Sequence, residues 1–323
     1  LIRFDCSVKP FFISAMQLKE AIQQTSGFGN LQLLANQVVE GFISGIHKSP
    51  FRGFSAEFAE HKSFNPGDST RYIDWKHYAK TDRLYVKTFE EETNLRCHLI
   101  IDNSASMHYP MLKTQTLQNY NKIGFSVLAA ASLMNLLKRQ RDAVGLSIYS
   151  DNYTYYSPEK GSDRHHRMLL QQLENLLENQ QPSSTDTFTF LHQIAEKIKR
   201  RSLVFLFTDM FQAATNPEHL FDALKHLKHN KHQVVLFHVI DKTTELDFDF
   251  DNTPKRFVDV ETGQKIDLFA DNIKEIYNHK MQHFYDALKL QCAKYQISYV
   301  QSDIHNSLEL ILSTYLNTRG RFI

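Results

Sequence analysis

The sequence predicts a doubly wound α/β domain carrying an N-terminal extension, and three observations predict it. From about residue 94, short apolar runs alternate with stretches of helical period. One run, Ser202–Thr208 (SLVFLFT), contains no charge and reads as a central parallel strand buried on both faces. The segments between successive runs are long enough for crossover helices, so a mostly parallel sheet is expected between two helical layers.

In chain order, Ser14–Gln24 and Leu31–Ile46 read as helices. The second places Leu34, Val38, Phe42 and Ile46 on one stripe and is bracketed by Gly45 and Pro50. Residues 51–93 are crowded with charge and aromatic rings and hold no sustained period. Asn65-Pro66-Gly67-Asp68 marks a turn there, and Leu84–Phe89 is the clearest strand. Arg96–Ile101 is an apolar strand that ends in Asp102. Asn119–Arg139 is a long helix, and its centre, Phe125–Leu137, reads as buried. Val144–Tyr149 and Tyr153–Ser157 form a hairpin through Ser150-Asp151-Asn152. Helices follow at Arg164–Glu178 and Phe188–Lys199, then the central strand, helix Pro217–His229 and strand Gln233–Ile240. Ile273–Ala293, Ile297–Val300 and Ser307–Leu316 close the chain as helix, strand, helix. The expected division is 1–93 as an extension packed on the domain and 94–323 as the α/β domain. A β-rich insertion at about 243–270 is expected as an edge or protruding hairpin.

Composition narrows the function classes. Of 323 residues, 42% are apolar and 23% charged, which suits a folded chain and excludes disorder for most of it. Lys and Arg total 37 against 36 Asp and Glu, so no bulk field draws the chain to nucleic acid or acidic lipid. Lys76, Lys80, Arg83 and Lys87 form a basic stretch, but Asp82 and Glu90–Glu92 interleave with it, so nucleic acid is not an expected partner. Cys6, Cys97 and Cys292 are too few and too dispersed for a disulfide framework. No stretch reaches the roughly 18 apolar residues of a membrane span, and LIRFDCSVKPFF lacks the signal-peptide pattern. The expected location is the cytoplasm.

Open α/β sheets carry their chemistry at the carboxyl ends of the strands. Three such places offer oxygen ligands: Asp102-Asn103-Ser104-Ala105-Ser106 after the first strand, Ser184-Thr185-Asp186, and Asp209 at the end of the central strand. Asp102, Ser104 and Ser106 can point three oxygens into one space. An all-oxygen cluster without His or Cys suits a hard octahedral cation, Mg²⁺ or Mn²⁺.

These residues carry a resemblance. NLRCHLIIDNSASM (94–107) resembles the first strand and metal-ion-dependent adhesion site of a von Willebrand factor type A domain. Asp102, Ser104 and Ser106 match its D-x-S-x-S, Thr185 its distant threonine, and Asp209 in FTDMF its final aspartate. Upstream stand Gly53, Glu57 and Phe58, then Pro66, Gly67, Asp68, Arg71, Ile73, Asp74 and Trp75, then Glu90–Glu92. This block is similar to the signature of the domain-of-unknown-function 58 family, and the likeness continues through FVDVETGQKIDL (257–268). The resemblance implies a module that binds partners, with Mg²⁺ completing its coordination through an acidic side chain of the partner. It further implies work beside a MoxR-type AAA+ ATPase in chaperone-like activation of other proteins.

The competing reading is a Mg²⁺-dependent phosphoryl-transfer or hydrolytic enzyme using Asp102 and Asp209. A covalent phosphotransferase wants a second carboxylate two residues after the nucleophile, where this chain has Ser104. No G-x-x-x-x-G-K-[ST] loop exists, and Asn103–Tyr109 contains no glycine for a pyrophosphate to approach. A nucleophilic Ser104 or Ser106 would need a base, and His108 is placed for it by sequence position alone. No catalytic constellation is therefore expected. Arg71, Asp74 and Trp75 read as a latch between extension and domain. His165, His166, His226 and His229 read as surface residues on helices.

Overall fold

A computed structural model of the chain describes residues 31–46, 61–63, 78–80, 82 and 85–87. From residue 95 onward it describes all but 113–114, 116–118, 151–153, 179–186, 212–216, 259–264, 307 and 320–323. Ser14–Gln24, the Arg71/Asp74/Trp75 group and Thr185 lie outside the described residues. Two compact units are present, Leu1–Phe42 with Leu95–Ile323, and Ile43–Asn94. In the smaller unit, β1 (His61–Ser63) pairs antiparallel with β2 (Tyr85–Lys87), Lys62 facing Val86.

The larger unit is the expected doubly wound sheet. Its strands are β3 (Arg96–Asp102), β4 (Ala143–Tyr149), β5 (Thr154–Lys160), β6 (Leu203–Thr208), β7 (Gln233–Ile240) and β10 (Ser298–Asp303), ordered β10-β7-β6-β3-β4-β5. All pairings are parallel except β4–β5, the hairpin read from the sequence. Every residue of β6 is buried, as is all of β7 after Gln233. Their charge-free sequences follow from having helices on both faces. The strand order reverses between β3 and β6, so a crevice opens beyond their carboxyl ends. Asp102 and Asp209 stand there.

Helix α1 (Leu31–Ile46) buries Leu31, Leu34, Ala35, Val39 and Phe42. The buried stripe thus runs through Val39, with Val38 half-exposed, one residue off the sequence expectation. Helix α2 (Lys122–Arg139) is buried from Lys122 to Leu137, and its length of apolar and small residues reflects enclosure on all sides. It begins three residues later than expected because Asn121 caps it, its side-chain oxygen accepting from the Gly124 N–H at 2.9 Å. Ser126 and Ser132 return their hydroxyls to the Lys122 and Leu128 carbonyls, which makes them tolerable in that helix. Asn135 donates to Asn36, and Arg139 to Glu40 at 3.3 Å, tying α1 to α2.

Helices α3 (Asp163–Glu178), α4 (Thr187–Lys197), α5 (Pro217–His229), α6 (Ala270–Lys294) and α7 (Glu309–Arg319) complete the layers. Leu191, Ile194, Leu224, Leu227 and Leu288 bring α4, α5 and α6 onto Val204, Leu206 and Leu236 of one sheet face. Tyr315 of α7 meets Phe205 edge-on, 5.9 Å between centroids, on the opposite face. The insertion is a separate two-stranded hairpin, β8 (Pro254–Val258) with β9 (Lys265–Phe269). Among the described residues no helix is long and apolar enough to cross a membrane.

One expectation is corrected here. His165 and His166 are buried, not surface residues, because α3 turns them with Leu169, Leu170 and Leu173 onto the sheet. His165 Nε2 donates to the Val144 carbonyl at 3.0 Å, and burial pushes His166 down to about 4. His226 meets His192 at 3.0 Å and is half-buried, while His229 is exposed.

A polar string also runs through the sheet. Glu159 Oε1 lies 2.7 Å from His98 Nδ1, and His98 Nε2 lies 2.7 Å from Ser147 Oγ. Carboxylate, imidazole and hydroxyl follow the order of a hydrolase relay, but all three are buried, and the His98 ring fills the space beside Gly145. A methyl at Gly145 would stand 2.6 Å from His98 Nδ1 and 2.9 Å from the Ser157 carbonyl oxygen. Gly145→Ala is therefore expected to cost about 1–3 kcal/mol of stability by overpacking, measured by urea unfolding. A variant as stable as wild type would show that this string yields easily.

Candidate metal centre

The site forms where β3 and β6 end side by side. Ile101 pairs with Phe207, so the next residues, Asp102 and Thr208, are neighbours across the ladder. Asp102 is buried, and both of its oxygens are engaged. Oδ1 accepts from the Ser104 N–H at 2.9 Å, and Oδ2 accepts from the Thr208 hydroxyl at 2.7 Å. A short 3₁₀ turn, Ala105–His108, folds the chain back after β3 and brings Ser104 Oγ within 3.1 Å of Ser106 Oγ. Ser106 in turn hydrogen-bonds the Asp209 carboxylate.

Asp209 is held from several sides. Its Oδ1 accepts from the Phe211 N–H at 3.1 Å, across a backbone bend in which Met210 adopts φ +57°. That left-handed conformation is uncommon for a residue with a side chain. His238 Nε2 on β7 donates to the Asp209 carbonyl at 2.9 Å and receives the Tyr299 hydroxyl on Nδ1 at 2.7 Å. Burial pushes His238 down to about 4, so the ring is neutral and serves as a fixed donor.

The sequence reading missed the residue that dominates the electrostatics. Lys122, the first residue of α2, is fully buried, and its Nζ donates to Asp209 Oδ2 at 2.7 Å and to Glu245 Oε1 at 2.5 Å. Glu245 lies in a helical turn after β7 (Lys242–Leu246), and its other oxygen accepts from the Asp241 N–H at 2.8 Å. Burial alone would favour a neutral Lys122 amine, but Asp209 and Glu245 outweigh it and hold the ammonium well above the usual lysine range. Burial pushes Asp209 up, yet Lys122 beside it brings the carboxyl below its ordinary value. Asp102 has no such partner; burial, then the Asp209 charge, raise it to about 6 against the hydrogen bonds of Thr208 and Ser104. A signal for Lys122 was available. It is a lone cation in the first turn, ahead of the uncharged run Ile123–Leu137 and far from the basic last turn of the helix, where the helix dipole disfavours it.

Asp102, Ser104, Ser106 and Asp209 are thus brought together, and Thr185 lies outside the described residues. The donors are carboxylates and hydroxyls alone, a set suited to a hard cation. Among the described residues no group of three or more His, Cys, Asp or Glu is arranged to hold a metal, so a cation here would rest on two carboxylates and hydroxyls. His108 does not reach the serines as a base; its Nε2 meets Asn103 Oδ1 at 2.9 Å, and burial lowers its basicity.

Two outcomes follow. Lys122→Met strands the buried Asp209 and the part-buried Glu245 carboxylates and should cost about 3–5 kcal/mol, with part recovered in Lys122→Met/Glu245→Gln; equal urea midpoints for wild type and single variant would contradict the ion-pair role. Asp102 is raised in the folded state, so its contribution to stability is full below its unfolded value near 4 and is lost as pH rises through about 6. Asp102→Asn in chelator should therefore match wild type near about pH 4 and exceed it by up to about 3 kcal/mol near neutrality. A difference independent of pH would show that Asp102 is not strained by its charge.

Comparison with known proteins places the chain. Residues 60–283, more than half of it, match the family described as Protein of unknown function DUF58. Uncharacterized protein Mb1516 of Mycobacterium bovis and Uncharacterized protein Rv1480 of Mycobacterium tuberculosis are each 22% identical over 179 residues, 55% of this chain and 55% of theirs. The chain therefore spans about half the length of these curated relatives. Among solved structures, conserved hypothetical protein BatB from Bacteroides thetaiotaomicron aligns over 70% of this chain and 99% of its own, at 14% identity and a TM-score of 0.42. The SpRpn10 VWA domain aligns over 68% and 94%, at 13% identity and a TM-score of 0.36. From the extent of the family match, this chain belongs to the DUF58 family.

Proposed function

We propose that this chain is a metal-dependent protein-interaction module with no catalytic role of its own. Asp102, Ser104 and Ser106, with Asp209 and Thr185, would hold Mg²⁺ or Mn²⁺. The observation that carries the reading is the charge of the crevice. Asp102, Asp209 and Glu245 set three carboxylates against the single ammonium of Lys122, which leaves two negative charges for a divalent cation to balance. When bound, the cation supplies an electrophilic site for an acidic side chain from another protein. The chain's own residues orient the donors and exclude water: Thr208 and the Ser104 N–H aim Asp102, while Phe211 N–H and Lys122 aim Asp209.

Support for binding over catalysis comes from the same contacts. Both oxygens of Asp102 accept hydrogen bonds, Ser104 stands where a covalent phosphotransferase needs a carboxylate, and His108 is turned to Asn103 and not to Ser104 or Ser106. On the resemblance alone, the partner is assigned to a MoxR-type AAA+ ATPase or its client, met in the cytoplasm.

Titration calorimetry with MgCl₂ tests the reading. Wild type should bind at millimolar Mg²⁺ or tighter and Asp102→Ala should show no heat, with unchanged far-UV circular dichroism. Thr185→Ala should weaken binding, and phosphatase and ATPase assays should stay at background. No Mg²⁺ or Mn²⁺ heat in wild type would contradict the metal; metal-dependent turnover of a phosphate ester, lost in Asp102→Ala, would favour the enzyme.

A further inference from the structure

Beside the oxygen cluster lies an apolar pocket of about 580 Å³. Its interior wall is a nest of rings. Phe248 stands 4.5 Å from Tyr277, 5.0 Å from Phe250 and 5.7 Å from Phe257, centroid to centroid. The Tyr277 hydroxyl donates to the Glu245 carbonyl at 2.8 Å, which fastens this nest to the turn that carries the Lys122 partner. Ser106, one of the cluster's own hydroxyls, also lines the pocket. Pocket and cluster therefore share a side chain.

The rim is more exposed than folding requires. Ile266 is 58% exposed, Val258 48% and Phe211 44%, and all three line the pocket. Large apolar side chains at the mouth of an apolar pocket mark a surface that awaits a partner. The charge at the rim indicates the sign of that partner. Glu245 spends its oxygens on Lys122 and the Asp241 N–H, whereas Lys265, also lining the pocket, is exposed and makes no ion pair among the described residues. Of the two charged residues among the described lining, the one without an ion pair is the cation.

We propose that this pocket receives a bulky apolar side chain from an acidic partner segment, so that the recognised element is an acidic residue with an aromatic or branched aliphatic residue one or two positions away. The proposal rests on the reading that the cluster captures an acidic side chain, and adds what lies beside that side chain. In an extended segment consecutive residues advance about 3.3 Å. An acidic residue at the cluster thus sets its near neighbours over the wall that Ser106 shares. The aromatic nest buries the apolar side chain, Lys265 favours acidic flanks, and together they distinguish true partners from any exposed carboxylate.

Methyl-resolved NMR of the full chain, with three probe peptides, tests this: acetyl-Gly-Asp-Phe-Gly-amide, acetyl-Gly-Asp-Gly-Gly-amide and acetyl-Gly-Asn-Phe-Gly-amide, each in MgCl₂ and in EDTA. With Mg²⁺, the Asp-Phe peptide should shift the Val258 and Ile266 methyls and bind about tenfold or more tighter than Asp-Gly. Ile266→Asp, an exposed position that folding tolerates, should abolish that preference and leave Mg²⁺ binding unchanged. Equal binding of Asp-Phe and Asp-Gly would overturn the pocket's role while leaving metal capture intact. Equal binding of Asp-Phe and Asn-Phe, indifferent to EDTA, would overturn the coupling and the metal reading together. Rim methyls that shift on dilution without peptide would assign the pocket to a second copy of this chain and overturn the proposal, as would no shift from any peptide at millimolar concentration.

Discussion

The ammonium of Lys122, shared between Asp209 and Glu245, is the interaction on which the crevice depends. Three carboxylates lie at neighbouring strand ends, and burying them without a cation would cost more than the surrounding packing could offset. Lys122 binds the end of β6 to the turn after β7, and through α2 it connects both to the helix that fills one side of the sheet. The Glu245 side chain also closes its own helical turn through the Asp241 N–H. One side chain thus sets the positions of Asp209, of the turn and of the aromatic nest that stands on it.

That arrangement leaves the two aspartates unequal. Asp209 is compensated by Lys122, while Asp102 faces the Asp209 charge with only hydrogen bonds to steady it. A crevice of this kind is a scaffold with a residual demand for positive charge at one place. The demand sits at the topological switch point, where doubly wound sheets open a space that no crossover helix covers. The hairpin β8–β9 and the rings at its foot give that space a second, apolar compartment.

The fold was legible wherever burial acted on whole elements. The strands β6 and β7 are uninterrupted apolar runs because helices cover both their faces, and the period of α2 is erased for the same reason. The misreadings arose where one polar residue belonged to a buried surface. By polarity alone His165 and His166 read as surface residues, although their spacing to Leu169, Leu170 and Leu173 sets them on the packed face. Asp102, Ser104, Ser106 and Asp209 were legible because strand ends concentrate chemistry. Lys122 and Glu245 were not, because their meaning lies in a contact between residues 123 positions apart.

The most direct measurement is an anomalous difference map from crystals of the full chain grown with MnCl₂. A peak bounded by Asp102, Ser104 and Ser106, with Lys122 still on Asp209 and Glu245, is the expected result. A map without a peak in that crevice at millimolar Mn²⁺, or one whose cation displaces Lys122 from Asp209, would contradict a site in which ammonium and metal divide the carboxylates between them.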